Sequence, residues 1–196
     1  MIDADAFPLI PLQTPGLHMR QNARLVLALA DQLKIPQDKA EKAVSGYAGS
    51  WRRLEVKGTR KDGVTVIDDY GHHPKEVRAS LAAVRETYPE RRIVCVFQPH
   101  THDRTLKLWA DFTTSFTDAD LIVVTDIYEA RRERDSAQAD PTALAKEIAA
   151  GSGHEAVYGG SLAETKLRLS DIVKTGDVLV CMGAGDITGL AAALVA

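Results

Sequence analysis

Cysteine is scarce in this chain, and no apolar run approaches the length of a membrane span. The two cysteines among 196 residues, Cys95 and Cys181, both sit inside apolar, strand-like runs. They read as small buried hydrophobes in a reducing compartment, not as a disulfide or as metal ligands. A spanning helix needs about twenty consecutive apolar residues, and the sequence has no such stretch. Met1-Ile2-Asp3-Ala4-Asp5 lacks the basic start and apolar stretch of a secretory signal, so a cytoplasmic protein without membrane contact is expected. A surplus of one charge is missing too: the formal net charge of −3 leaves no electrostatic footprint for nucleic acid. What is present is globular material, 45% hydrophobic and 26% charged, in keeping with a packed core.

From residue 64 onward short β-rich runs alternate with amphipathic helices. Strands are expected at Val64–Asp68, Ile93–Phe97, Leu121–Thr125, Glu155–Tyr158 and Val178–Met182. Helices are expected at Pro74–Tyr88, Thr105–Phe116, Thr142–Ala150, Leu162–Val173 and Ile187–Val195. Leu54–Lys57 adds a short strand in a hairpin with the first of these. Strands so apolar are covered on both faces, the mark of a parallel sheet. The expectation is an α/β, doubly wound, mostly parallel sheet with helices on both faces, Rossmann-like, over residues 50–196.

Residues 1–49 differ. Pro8, Pro11 and Pro15 break up an extended start, and helices fit His18–Leu33, with Leu25, Leu29 and Leu33 on its apolar side, and Gln37–Ala48. Two helices lack partners for a core of their own, so this stretch reads as the mainly helical tail of another domain, with a boundary near Gly49. The polar stretch Glu129–Pro141, with Arg131-Arg132-Glu133-Arg134, is long for a connection and suits a mobile loop over a site.

Ligands in open α/β sheets bind beyond the carboxyl ends of the strands. Those ends are where the ionisable residues collect: Asp68-Asp69-Tyr70-Gly71-His72-His73, then Gln98-Pro99-His100-Thr101-His102-Asp103-Arg104, Asp126-Ile127-Tyr128 and Gly183-Ala184-Gly185-Asp186. The opposite edge carries ordinary loop residues such as Pro89-Glu90-Arg91 and Thr175-Gly176-Asp177. Desolvating such groups is costly, so a cluster of this kind points to a binding site. Helix capping before Pro74 accounts for one or two of the first set, not for six in a row. Gly183-Ala184-Gly185 opens the last helix and is a weak dinucleotide signal; a tight turn is the better reading. His72, His73, His100 and His102 with Asp68 or Asp126 form an alternative metal site, against which stands the divergence of adjacent histidines.

These motifs, in this order and spacing, resemble the Mur ligase family. Gly16-x-His18-x-x-x-Asn22-Ala23 and Arg52-Arg53-Leu54-Glu55 extend the likeness upstream. The resemblance implies that residues 1–49 end a central ATPase domain and that residues 50–196 are the C-terminal domain of a three-domain enzyme. The P-loop pattern G-x-x-x-x-G-K-[ST] is absent, so this chain alone is expected to be inactive. The implied reaction is amide formation: ATP, with Mg2+, activates the carboxylate of UDP-N-acetylmuramate as an acyl phosphate, which L-alanine attacks. The missing domains of the same enzyme are the implied partners. By the same likeness Asn22, Arg53, Asp69 and Tyr70 bind ATP, Asn22 at the adenine and Asp69 at the ribose. His72, His73, His100 and Arg104 bind substrate, Arg104 gripping the alanine carboxylate. No resident metal site is implied. Met19 and Thr101 depart from the family pattern, which has a second asparagine and another arginine there in many and in some members respectively. A murein peptide ligase of the same family and a metal-dependent phosphoesterase built on the Asp and His cluster are the alternatives.

Overall fold

The structure is a computed structural model and describes residues 3–129 and 137–195. The chain divides into two compact units, Met1–Ser50 and Trp51–Ala196. In the first, α1 (Leu17–Gln32) and α2 (Gln37–Ser45) enclose a small core of Ile10, Leu27, Ala30 and Ala40. Here the expected apolar side of α1 is corrected. Leu25, Leu29 and Leu33 are 57%, 49% and 63% exposed, while Ala23, Leu27 and Ala30 are buried. The cause is steric: α1 is apolar on more than one side, and the face carrying small alanines takes the inner position. The second helix ends at Ser45, short of Ala48, where Gly46 caps it.

The second unit runs β1 (Glu55–Thr59), β2 (Thr65–Asp69), α3 (Pro74–Thr87), β3 (Ile93–Phe97), α4 (His102–Lys107), α5 (Trp109–Thr113), β4 (Leu121–Thr125), α6 (Pro141–Ser152), β5 (Glu155–Gly160), α7 (Leu162–Ile172), β6 (Val178–Met182) and α8 (Ile187–Ala193). The strands form one sheet in the order β1-β2-β6-β3-β4-β5. β1 pairs antiparallel with β2, as the hairpin reading expects, and the remaining pairs are parallel.

Strand alternation builds two cores. Ile67, Cys95, Phe97, Ile122, Val180 and Met182 face one way and pack with α3, α5 and α6 through Leu81, Phe112 and Ile148. Val66, Val94, Val96, Val123, Leu179 and Cys181 face the other way and meet α7 and α8 through Leu169 and Leu190. The sheet is therefore doubly wound, with β6 lying between β2 and β3. The loops after β2 and β3 leave toward one face and the loop after β6 toward the other, which opens a crevice at their carboxyl ends. Both cysteines are fully buried, and burial pushes their thiols well above the ordinary value, as suits inert core residues.

The single helix expected at Thr105–Phe116 is two. α4 and α5 meet at Leu108, whose backbone (φ −109°, ψ 14°) leaves the helical basin although Leu108 N–H still bonds to the Arg104 carbonyl. Most of the polar stretch expected to form a loop over the site, residues 130–136, lies outside the described residues. No helix among the described residues is long and apolar enough to cross a membrane.

Candidate functional site at the carboxyl edge of the sheet

Two acids end β2, and the fold uses both. Asp68 is fully buried; its Oδ1 accepts from Arg52 Nε at 3.3 Å and its Oδ2 from the Thr188 hydroxyl at 2.6 Å. Arg52, only 3% exposed, also donates to the Gly183 and Gly185 carbonyls at 2.5 and 3.3 Å. One guanidinium thus joins the start of the unit, the end of β2 and the turn after β6. Asp69 is 2% exposed and accepts from Leu54 N–H (2.9 Å), Gly71 N–H (2.8 Å) and the Ser80 hydroxyl (3.0 Å). A carboxylate offers about four acceptor positions, so one remains.

Arg53 sits between two residues with left-handed backbone, Arg52 (φ 54°) and Leu54 (φ 50°), a conformation that costs non-glycine residues about 1–2 kcal/mol each. The kink leaves Arg53 exposed, its guanidinium 5.5 Å from the centre of the Tyr70 ring. Arg52 lies 5.1 Å from the same ring, so Tyr70 meets two cations.

His72 Nδ1 lies 3.0 Å from the Tyr70 carbonyl and 3.5 Å from Glu76 Oε2. His73 is the N-cap of α3: its Nδ1 accepts Lys75 N–H, while Glu76 Oε2 accepts the His72 and His73 N–H groups at 3.0 and 3.1 Å. Burial pushes the Glu76 carboxyl up, but these N–H donors outweigh it and hold it below the usual range. The capping reading therefore applies to His73 and leaves Tyr70 and His72 to be explained. His100 stacks on Tyr128 at 5.1 Å with rings 10° from parallel, and its ring lies 5.9 Å from that of His72. Arg104, on α4, donates through Nη1 to both the ring and the carbonyl of His100 at 3.3 and 3.1 Å. Tyr70, His72, His100, Arg104 and Tyr128 thus form one continuous group spanning the ends of β2, β3 and β4.

The glycine turn after β6 owes its composition to packing. A Cβ on Gly185 would stand 2.4 Å from the Gln98 side-chain oxygen and 2.6 Å from the Tyr128 ring, and one on Gly183 would stand 2.7 Å from the Gln98 carbonyl. Gln98, buried at the end of β3, closes this turn by accepting Ile187 N–H and donating to Asp186. A cleft of about 620 Å³ continues from Tyr128 past Asp126, Tyr158 and Ser161. Tyr158 donates to Asp126, which pushes its phenol up to about 12. His102, 6% exposed, lines the same cleft and accepts Ala139 N–H at 3.1 Å.

The sequence reading missed Glu76, Ser80 and the structural use of Arg52. Glu76, three residues after the cap, carries the capping-box signature and was legible. Ser80 had no such signal. In the first unit, Asn22 lines an apolar groove of about 320 Å³ with Met19, Ala23, Val26, Val44 and Tyr47. Among the described residues, no group of three or more His, Cys, Asp or Glu side chains is arranged to hold a metal ion.

Comparison with known proteins identifies the family of the chain. The family described as Mur ligase, glutamate ligase domain, matches residues 52–185. The UDP-N-acetylmuramate–L-alanine ligase of Trichlorobacter lovleyi is 41% identical over 186 residues, which are 95% of this chain and 40% of that protein. A crystal structure of the Thermotoga maritima UDP-N-acetylmuramate–alanine ligase superposes with a TM-score of 0.73 at 30% identity, over 92% of this chain and 37% of that one. A murein peptide ligase from Psychrobacter arcticus shares the fold at 23% identity, with a TM-score of 0.68 over 89% of this chain and 35% of that one. The chain thus spans about 40% of the length of the curated relatives it matches. With the family matched over residues 52–185, more than half of its length, the chain belongs to the Mur ligase family.

Proposed function

We propose that this chain is the C-terminal part of an ATP-dependent ligase that joins L-alanine to the carboxylate of UDP-N-acetylmuramate, in the cytoplasmic synthesis of peptidoglycan precursors. The observation that carries the reading is the 41% identity to a named alanine ligase along 95% of the chain. Arg104 supports it: Nη1 is tied to His100, while Nε and Nη2 make no hydrogen bond among the described residues. A guanidinium so placed offers a donor edge to a carboxylate such as that of alanine. In this reading residues 1–49 end the central ATPase domain and residues 50–196 are the C-terminal domain.

ATP supplies the phosphoryl group that activates the substrate carboxylate. Asn22 suits its adenine, as an amide on an otherwise apolar groove of about 320 Å³. Arg53 is an exposed cation suited to the nucleotide, with Tyr70 beneath it. Asp69 enters as the ribose acceptor through its one remaining acceptor position. Its three internal bonds make positioning of Leu54, Gly71 and Ser80 its first task. Mg2+ finds no ligand set among the described residues, because Asp68 and Asp69 are committed to the fold, and no step in this chain runs through it. A phosphoesterase would need the histidines to converge. Among the described residues no group of three or more His, Cys, Asp or Glu side chains gathers to hold the metal such an enzyme needs.

Phosphate release tests the reading. The full-length protein carrying this chain is expected to release phosphate from ATP only when UDP-N-acetylmuramate and alanine are both present, and the 196-residue chain alone is expected to release none. Release with a murein tripeptide but not with alanine points to the peptide ligase, and turnover by the chain alone overturns the fragment reading.

A further inference from the structure

Hydrogen bonding divides the histidines of this edge into two kinds. His73 Nδ1 accepts a backbone N–H, and His100 Nδ1 faces an arginine, which has only donors. When neutral, both rings therefore carry their proton on Nε2. His72 is the reverse. Its Nδ1 faces the Tyr70 carbonyl at 3.0 Å and the Glu76 carboxylate at 3.5 Å, and both partners are acceptors only. The proton is thus on Nδ1 and the lone pair on Nε2. The ring is held edge-on to Tyr70 at 5.4 Å and 5.9 Å from His100, and the side chain keeps 20% of its surface exposed.

We infer that His72 is the general base of the amide-forming step, with Nε2 taking the proton that the incoming amine loses. This rests on the ligase reading above. The amine nitrogen forms the new bond to the acyl carbon with its lone pair. The bond from that carbon to the phosphate oxygen breaks, its electron pair leaving with phosphate. The nitrogen lone pair is freed when the ammonium group of alanine gives one proton to His72 Nε2, and the second proton, shed on attack, leaves with the phosphate. The resulting imidazolium keeps Nδ1–H on the Tyr70 carbonyl, with the Glu76 carboxylate beside it, the arrangement that orients and stabilises a histidine base. The titratable and charged groups around the ring are Glu76 on α3, Tyr70 at the end of β2, His100 and Arg104 beyond β3, and Arg53 ahead of β1, whose charge reaches Glu76.

Two measurements test it. Long-range nitrogen–proton correlation spectra of the isotope-labelled 196-residue chain should show neutral His72 protonated on Nδ1, and His73 and His100 on Nε2. A His72 signal of the Nε2–H form overturns the inference. In the full-length ligase, His72→Asn keeps an N–H for the Tyr70 carbonyl and removes the lone pair. Its alanine turnover should fall about a hundredfold or more, the lower range for a lost general base, and should lose the limb that rises with pH in the wild type. Hydroxylamine, unprotonated at neutral pH, should be acylated at close to the wild-type rate, because it needs no base. Equal losses with both nucleophiles overturn the assignment, and His72→Gln, which retains an amide of different reach, guards against a local misfolding of the asparagine variant. Failure of the ligase reading itself appears earlier, as wild-type protein that makes no amide.

Discussion

Both edges of the sheet are crowded with charged side chains, yet the two edges use them differently. At the amino edge Arg91 bonds to the Gly63, Gly176 and Asp177 carbonyls and to the Thr65 hydroxyl, at 2.6–3.0 Å. Arg92 pairs with Asp177, and Arg85 with Asp120. Arg91 and Arg85 each make four hydrogen bonds closing loops there, and Arg92 two through Nη1. At the carboxyl edge Arg52, Asp68 and Asp69 do the same work in a buried layer. Above them Arg53, Tyr70, His72 and Arg104 are each held by one part of the side chain and keep another part uncommitted among the described residues. A site is therefore marked by what its hydrogen bonds leave over, not by how many ionisable residues gather there.

The buried layer can be broken most heavily. Arg52→Ala leaves Asp68 charged, fully buried and without its cation, so unit 2 should lose about 3–5 kcal/mol in a denaturant titration. Asp68→Ala should match it, since either change strands one partner. A loss below about 1 kcal/mol for both would place this pair with ordinary surface contacts. Gly185→Ala comes next, at about 1–3 kcal/mol, because the added methyl meets the Gln98 side chain and the Tyr128 ring. The ring proton signals of Tyr128 and of its stacking partner His100 should report the displacement.

Arg91 and Arg53 then set the two edges against each other. Arg91→Ala should cost about 1–3 kcal/mol by unpairing carbonyls at the amino edge, and should leave the KM for ATP of the full-length ligase unchanged. Arg53→Ala should shift stability by less than about 0.5 kcal/mol and raise that KM. Exchange of these outcomes would remove the distinction between a committed and a presented arginine.

How much of this was legible in the sequence follows the same division. Strand runs such as Ile93–Phe97 and Val178–Met182 carry their own assignment, because five consecutive apolar residues permit a strand buried on both faces. The carboxyl-edge cluster was legible for the related reason that ionisable residues directly follow those runs. The inner face of α1 was not, since apolar residues on two sides leave the choice to whatever packs there, and alanine wins on closeness of approach. Nor was the division between Arg52 and Arg53. Adjacent identical residues differ only in a backbone turned left-handed on either side of the second, which no pattern of residue types discloses. Arg91 reads as an ordinary loop residue for the same reason: its partners are backbone carbonyls from distant segments, invisible to any local motif.

The smallest effect is the one that separates the edges most finely. Glu76 at the carboxyl edge and Asp120 at the amino edge are both buried enough to be pushed up. Both are nonetheless held below the usual carboxylate range, Glu76 by the His72 and His73 N–H groups and Asp120 by Ile93 N–H and Arg85. A carboxyl whose folded value is depressed contributes stability above its unfolded value and loses it as pH falls through the folded one. Acidification below the ordinary carboxylate range should therefore weaken the wild-type chain, and Glu76→Gln or Asp120→Asn should each flatten that dependence by a similar modest amount. Their stability curves should be alike because the physics is alike: a carboxylate accepting a backbone N–H beside a cation or a polar cap. They should part in the full-length ligase. Asp120→Asn should leave alanine turnover unaltered, whereas Glu76→Gln removes the anion beside His72 Nδ1 and should slow it, by less than loss of the ring does. Titrating the denaturation midpoint from neutral to acidic pH gives the first comparison and steady-state turnover gives the second. Equal turnover in the two variants would reduce Glu76 to a helix cap, the role Asp120 plays for the start of β3.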